Sequence, residues 1–155
     1  MAASNINTVA DYFIATAHDC GDLITNLKLQ KLAYYAQAWH LAIHDLPLVD
    51  DEFEAWVHGP VAPSLYDRFK KHRWNPISDD IVMPDLPREL REHLDEVQEA
   101  YGAYGAYELE RMTHAEEPWL AARSGLSADT PSNKKISRTL MRDFYRLRMD
   151  DDETD

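Results

Sequence analysis

Residues 25–69, TNLKLQKLAYYAQAWHLAIHDLPLVDDEFEAWVHGPVAPSLYDRF, contain the pattern that decides the fold of this chain. Apolar and aromatic side chains recur there at helical spacing as far as His44. Thr25 and Asn26 both belong to the residue types that cap the beginning of a helix. Pro47 prevents the helix from continuing, because proline has no amide hydrogen to donate and clashes with the preceding turn. The pattern therefore predicts one long helix from residue 25 or 26 to about residue 44.

A short β-structure is predicted directly after this helix. Residues 53–57 alternate between polar and apolar side chains, which is typical of a strand. We expect this strand to pair with Leu48 and Val49, giving a β-hairpin near residues 48–57. A glycine and a proline at residues 59–60 mark the turn that follows.

Helical spacing also recurs on both sides of the central region. Further helices are predicted at residues 5–18, 62–72, 90–101, 107–112, 118–123 and 132–148. Some of these are short, so we expect about six helices in total. The fold class is mainly α within the α+β type, and residues 1–149 are expected to form a single compact domain. Residues 113–116 match a capping box, and Pro118 could equally occupy the first position of the helix at residues 118–123.

The distribution of charge bears on the class of partner. Residues 1–130 carry 10 Lys and Arg against 22 Asp and Glu, residues 131–149 carry 6 against 1, and residues 150–155 carry 0 against 5. Phosphate binding requires neutralisation by Lys and Arg, so this acidic chain makes nucleic acid an unlikely partner. The last residues, 150–155, are expected to form an acidic, disordered tail.

The cellular compartment is predicted from what the sequence lacks. No run of about 18 apolar residues is present, and the first residues, MAASNINTVADYF, lack the basic segment and apolar run of a secretory signal. The single cysteine, Cys20, cannot form an internal disulfide and is compatible with a reducing compartment. We therefore expect a cytoplasmic protein that does not associate with membranes.

Few residues suggest catalysis or metal binding. His40 and His44 are one helical turn apart and could share a metal ion, but they lack the glutamate of an HExxH motif and a third ligand. Cys20 could pair with a histidine, although no nucleophile lies in a recognisable setting. We assign no catalytic residue, no metal ligand and no cofactor. A metal- or thiol-dependent hydrolase using His40, His44, His58 or Cys20 remains an alternative.

The long helix is predicted to have a core face and an outward face. At 100° per residue, one face carries Leu29, Leu32, Ala33, Ala36, Trp39, His40 and Ile43. The other carries Gln30, Lys31, Tyr34, Gln37 and Ala38. The first face is expected to be buried, and the second is a candidate interaction surface. An exposed tyrosine such as Tyr34 is a common anchor of protein interfaces, although it could equally pack on a neighbouring helix.

Three sequence motifs resemble the Panacea domain family, which includes SocA-like antitoxins and phage-associated proteins. They are LKLQKL at residues 27–32, YYAQ at residues 34–37, and AW followed by GPV at residues 55–61. Residues 97–101 and the pairs Thr-His and Pro-Trp within residues 113–119 resemble the family again. Together these motifs are specific, whereas each alone is weak.

The resemblance implies an antitoxin of a toxin–antitoxin system, with a possible role in phage defence, that neutralises a co-encoded toxin protein by direct binding. SocA-like members can also act as adaptors that deliver the toxin to a cytoplasmic ATP-dependent protease, and this remains an alternative. A DNA-binding regulator using the basic final helix is a third reading. The residues expected to bind the toxin are Gln30, Lys31, Tyr34, Gln37, Trp56 and His58. Replacing Tyr34 by alanine, or Lys31 by glutamate, is expected to weaken neutralisation without disrupting the fold.

Overall fold

The computed structural model describes the backbone of residues 2–154 and the side chains of residues 2–149. In this part of the chain there are seven α-helices and one two-stranded antiparallel sheet. The elements are α1 (Ile6–Asp19), α2 (Asn26–His44), β1 (Glu54–Trp56), β2 (Gly59–Val61), α3 (Pro63–Phe69), a 3₁₀ turn (Lys70–His72), α4 (Arg88–Tyr101), α5 (Ala106–His114), α6 (Glu117–Arg123) and α7 (Arg138–Thr154). The predicted class, mainly α with some β, is confirmed.

Helix α2 is the centre of the fold. It begins where the sequence predicts, because the Thr25 hydroxyl accepts a hydrogen bond from the Lys28 amide at 3.2 Å. It ends at His44, and Asp45 follows in the left-handed conformation with φ 56°. The other α-helices except α6, together with the hairpin strand β2, pack around α2, so 14 of its 19 residues are buried. A helix surrounded in this way has no solvent-facing side over most of its length.

The hairpin is present, but its strands differ from the prediction. Strand β1 pairs with β2, so Glu54 lies opposite Val61 and Trp56 opposite Gly59. Leu48 and Val49 are not its partners, because their backbone amides bind the Gln37 side chain of α2 instead. A short hairpin is therefore present in the predicted region, but the predicted pairing is wrong, because the partner strand follows β1 at residues 59–61 instead of preceding it at residues 48–49.

The start of the last helix also differs from the prediction. Residues 134–136 are extended and follow the free edge of β1, with the Ala55 amide donating to the Lys134 carbonyl at 2.8 Å and the Ile136 amide donating to the Phe53 carbonyl at 2.8 Å. Helix α7 starts only at Arg138. The edge of β1 offers these residues hydrogen-bond partners that helical spacing alone does not reveal.

Two smaller expectations concern helix ends. The predicted capping box at residues 113–116 is absent: the Thr113 hydroxyl donates to the Glu110 carbonyl, and Glu116 begins α6 without a side-chain capping bond. The predicted acidic tail, residues 150–155, lies outside the residues whose side chains are described, so its disorder stays a prediction.

Among the described helices, none combines the length and apolar character needed to cross a membrane.

Candidate interaction groove beside the hairpin

The predicted outward face of α2 is buried. Gln30, Lys31, Tyr34 and Gln37 are each at most 1% exposed, so the expectation that they form an accessible surface is wrong. Conversely, Ile43, which was expected in the core, is 44% exposed. Packing of other elements on every side of α2 overrides the two-faced pattern that the spacing suggested.

The buried polar side chains of α2 hold the neighbouring loops in place. The Gln37 amide oxygen accepts from the Leu48 and Val49 amides at 2.7 and 3.1 Å. The Gln30 amide oxygen accepts from the Ala62 amide at 3.0 Å, at the end of β2. A buried amide that satisfies backbone groups in this way is stabilising, and leaving those groups unpaired would be costly.

Lys31 is the most unusual of these buried residues. Its ammonium group lies 3.2 Å from the Pro60 carbonyl oxygen, and no part of the side chain is exposed. Burial lowers the pKa of Lys31 to about 7, although the nearby Glu110 carboxylate opposes this shift. Glu110 also lies against His58, with 2.5 Å between Oε1 and Nδ1. A line of ionisable groups thus runs from the core to the tip of the hairpin.

A groove of about 670 Å³ opens beside the hairpin, and we call it the hairpin groove. It is lined by Asn26, Leu27 and Gln30 of α2, by Trp56, Val57, His58 and Val61 of the hairpin, by Tyr66, Lys70, Arg73 and Trp74, and by residues 131–133. Of the six residues predicted to bind a partner, the structure brings Gln30, Trp56 and His58 to this groove. Lys31, Tyr34 and Gln37 do not line it.

Trp74 is the residue that sequence reasoning missed. Its side chain is 77% exposed, and its ring lies 6.4 Å from the His58 ring, nearly perpendicular to it. Residue 74 lies outside every helix and strand predicted from the sequence, so the tryptophan carried no signal by itself. The adjacent run KKHRW at residues 70–74, in which four basic or titratable side chains precede an aromatic one, is the signal that could have drawn attention to it.

The walls of the groove are held firmly from behind. The Trp119 indole donates to the Trp56 carbonyl at 2.9 Å, and the buried Arg123 donates to the Ala55 carbonyl at 2.8 Å. The Trp56 ring packs at 5.1 Å against Tyr66 of α3. The hairpin therefore presents its outer side chains from a fixed backbone, which reduces the entropy lost when a partner binds.

A second buried polar cluster stands elsewhere in the core. The Glu116 carboxylate accepts from the Tyr35 hydroxyl at 3.0 Å and from the Tyr145 hydroxyl at 2.7 Å. Burial raises the pKa of Glu116, and the two tyrosine donors partly offset this effect. The Tyr35 ring stacks on Tyr101 with 4.0 Å between centroids. This cluster joins α2, α4, α6 and α7 and serves packing.

His40, one of the two histidines weighed for metal binding, is engaged with the backbone, as is His93 beside it, whereas His44, the other, is exposed. His40 Nδ1 lies 2.6 Å from the Leu46 carbonyl, and His93 Nε2 lies 2.9 Å from the Ala36 carbonyl. Burial lowers the pKa of both imidazoles. Within the described residues, no group of three His, Cys, Asp or Glu side chains could hold a metal ion. Cys20 is free and exposed.

Comparison with known proteins identifies the family. A profile described as "Antitoxin SocA-like, Panacea domain" matches residues 29–120, which is more than half of the chain and spans most of α2, the hairpin and α3 to α5. The chain is similar to Antitoxin SocA of Caulobacter vibrioides (strain NA1000 / CB15N), with 31% identity over 137 residues that cover 80% of this chain and 73% of the relative. No solved structure matches the chain. The chain therefore belongs to the SocA-like antitoxins that carry the Panacea domain.

Proposed function

We propose that this chain is the antitoxin of a toxin–antitoxin system and neutralises a co-encoded toxin protein by binding it directly in the cytoplasm. Membership of the SocA-like antitoxin family supports the antitoxin role. The single observation that favours direct binding is the hairpin groove, because it combines a cavity of about 670 Å³, an exposed tryptophan, and a hairpin wall that is held from behind.

The side chains of the groove are of the types that anchor protein interfaces. Trp, Tyr and Arg are the residues that most often dominate binding free energy, and Trp56, Tyr66, Arg73 and Trp74 all line the groove. Trp74 is the strongest candidate anchor because its ring is exposed in the free protein and would lose most of its solvent contact on binding. Trp56 and His58 keep their predicted role as contact residues in this proposal.

The remaining predicted residues act indirectly in the same proposal. Lys31 holds the Pro60 carbonyl, and Gln30 holds the Ala62 amide, so these two side chains set the position of β2. Tyr34 packs edge-on against Tyr35 and Phe53 inside the core. Substituting Lys31 or Tyr34 would therefore disturb the fold itself, which makes such variants unsuitable as tests of binding.

The mode of action proposed here is contact without catalysis. His58 and Glu110 form a histidine–carboxylate pair at the groove, but within residues 2–149 no hydroxyl or thiol is hydrogen-bonded to the His58 ring. A nucleophile in such contact is what a hydrolytic site of this type requires. Delivery of the toxin to an ATP-dependent protease would use the same binding step. It would differ from direct blocking only in that the bound toxin is then degraded.

Co-expression with the products of adjacent genes tests the proposal. We expect one such product to arrest growth and the wild-type chain to restore it. Trp74→Ala should lose rescue, whereas Tyr107→Ala, which truncates another exposed aromatic side chain outside the groove, should keep it. Melting curves should be the same for both variants. Rescue by Trp74→Ala at equal expression would remove the groove from the proposal, and the absence of any neutralised neighbour would overturn the function.

A further inference from the structure

We propose that the hairpin groove receives an acidic segment of the partner protein that carries an apolar side chain as its anchor. This inference rests on the proposed function, since it names the chemistry of what the toxin would present at that same surface. It goes further because it predicts the charge of the recognised segment, which family membership alone does not provide.

The charge of the groove is opposite to that of the rest of the molecule. The whole chain has 28 Asp and Glu against 16 Lys and Arg, giving a formal net charge of -12. Among the described residues, those that line the groove include two cations, Lys70 and Arg73, and one titratable imidazole, His58, but no aspartate or glutamate. A basic recess on an acidic molecule selects for an acidic ligand, because the rest of the surface repels such a ligand.

Both cations are available to a ligand. Lys70 has a single ion pair within residues 2–149, with Asp67 at 3.7 Å, and both side chains are about two-thirds exposed. An exposed pair of this kind contributes little and is readily exchanged. Arg73 is exposed, and no carboxylate within residues 2–149 lies at ion-pair distance from its guanidinium. Arginine can then bind a carboxylate through two parallel hydrogen bonds.

Besides Asp67, the exposed partner of Lys70, two carboxylates near the groove are bound to its wall rather than facing it. Glu54 accepts from the Trp56 indole at 2.8 Å, and Glu110 lies against His58 at 2.5 Å. Neither residue lines the groove. Their effect is to orient the aromatic ring and the imidazole, which remain available to a ligand on their other faces.

The interior of the groove is suited to an apolar anchor. Trp56, Val57, Val61, Tyr66 and Trp74 supply apolar lining, and the polar floor residues Asn26 and Gln30 already bind each other and the backbone. A side chain entering the groove therefore gains apolar burial without leaving polar floor groups unpaired. Lys70 and Arg73 also line the groove, so they would contact carboxylates that flank the apolar anchor.

Arg73 occupies a backbone conformation that an L-residue rarely adopts. Its φ is 53° and its ψ is -118°, and its amide donates to the Lys70 carbonyl at 3.1 Å to close the 3₁₀ turn. Non-glycine residues in such regions are strained, and this strain is concentrated at functional sites. The turn places an arginine, where glycine would fit more easily, beside the exposed Trp74.

Selection of peptides from a displayed random library on the full chain tests the inference. Enriched peptides would be synthesised and their affinity measured by calorimetry. We expect an excess of Asp and Glu around one apolar residue, and an affinity that falls as salt is raised. The double variant Lys70→Glu/Arg73→Glu should bind at least about tenfold more weakly, because two attractive contacts become repulsive. The matched control Arg91→Glu/Arg111→Glu changes the net charge equally at exposed arginines outside the groove and should retain affinity.

Several outcomes would overturn the inference. These are enrichment of neutral or basic peptides, failure to enrich any peptide that needs the groove, or equal loss of affinity in both double variants. Two further measurements address other occupants. Stronger peptide binding after Asp150→Asn, Asp151→Asn and Asp152→Asn would assign the groove to the chain's own acidic end. Self-association lost only in the groove variant would assign it to a second copy.

Measuring toxin binding and neutralisation with the same variants separates failure of the inference from failure of the proposed function. Toxin binding that depends on Trp74 but not on Lys70 and Arg73 would overturn the acidic-segment proposal and leave the antitoxin proposal standing. Acidic peptides that bind the groove, without any neighbouring gene product being neutralised, would do the reverse.

Discussion

The ammonium group of Lys31 lies 3.2 Å from the carbonyl oxygen of Pro60, and both residues are buried. This contact joins the N-terminal third of the central helix α2 to the second strand of the hairpin. The hairpin forms one wall of the groove, so the position of that wall depends on a lysine that a ligand cannot reach. A buried cation is costly to maintain, and the contact therefore has measurable consequences for stability.

The close approach of Lys31 explains why residue 59 is a glycine. Gly59 has φ 106°, and a Cβ added there would lie 2.5 Å from Lys31 Cε and 2.9 Å from Thr113 Oγ1. We predict that Gly59→Ala lowers the free energy of unfolding by about 3 kcal/mol, from backbone strain and overpacking together. Gly125→Ala is the control, since Gly125 has φ 83° but open space around it, and should lose only about 1 kcal/mol. Equal losses in urea unfolding would contradict the close contact.

The lowered pKa of Lys31 predicts how stability changes with pH. The group titrates near 10.5 when unfolded and at about 7 when folded, so the unfolded state binds more protons between these values. Raising the pH from 7 to about 9.5 should therefore increase the free energy of unfolding, by about 3 kcal/mol if this group acts alone. Above about pH 10 the trend should reverse, because burial raises the pKa of Tyr12 and Tyr101 to about 12.

A Lys31→Met variant isolates this effect. Methionine fills a similar volume and cannot titrate, so its unfolding free energy should be nearly constant between pH 7 and 9.5. Urea unfolding of wild type and variant across that range gives the comparison. Parallel curves would show that Lys31 does not carry the pH dependence.

The Glu116 cluster gives a prediction about the core. Tyr145→Phe keeps the ring but removes the hydroxyl that donates to Glu116 at 2.7 Å, which leaves a buried carboxyl with one donor fewer. We predict a loss of about 2 kcal/mol in unfolding free energy. Tyr107→Phe, at a residue 67% exposed, makes the same chemical change and should alter stability by less than about 0.5 kcal/mol. A loss no larger for Tyr145 than for Tyr107 would contradict the role of this hydrogen bond.

Local features of the fold could be predicted from the sequence. The Thr25 cap and the end of α2 at His44 agree with the structure, as does α1 to within one residue at each end. These features depend on side chains within a few residues of one another. The hairpin lies in the predicted region for the same reason, although the predicted partner strand at residues 48–49 is wrong.

Features that depend on distant parts of the chain could not be predicted. Helical spacing separates two faces of α2 but cannot show that α7, the hairpin and α5 cover the second face, so Gln37 and its neighbours were taken as surface. Residues 134–136 read as helix because only the edge of β1, about 80 residues earlier, makes them extended. Trp74 lies just after the turn at residues 70–72, and its position beside the hairpin groove depends on contacts with distant residues such as His58.

Neutralisation with purified components is the most direct test of the central claim that this antitoxin acts by contact. The toxic product of the adjacent gene would be assayed with increasing amounts of the full chain, without ATP or any protease. We predict that toxin activity falls to background near equimolar antitoxin, and that Trp74→Ala requires at least about tenfold more protein, as expected for loss of an interface anchor. Full toxin activity at saturating wild-type protein would contradict direct blocking by this chain.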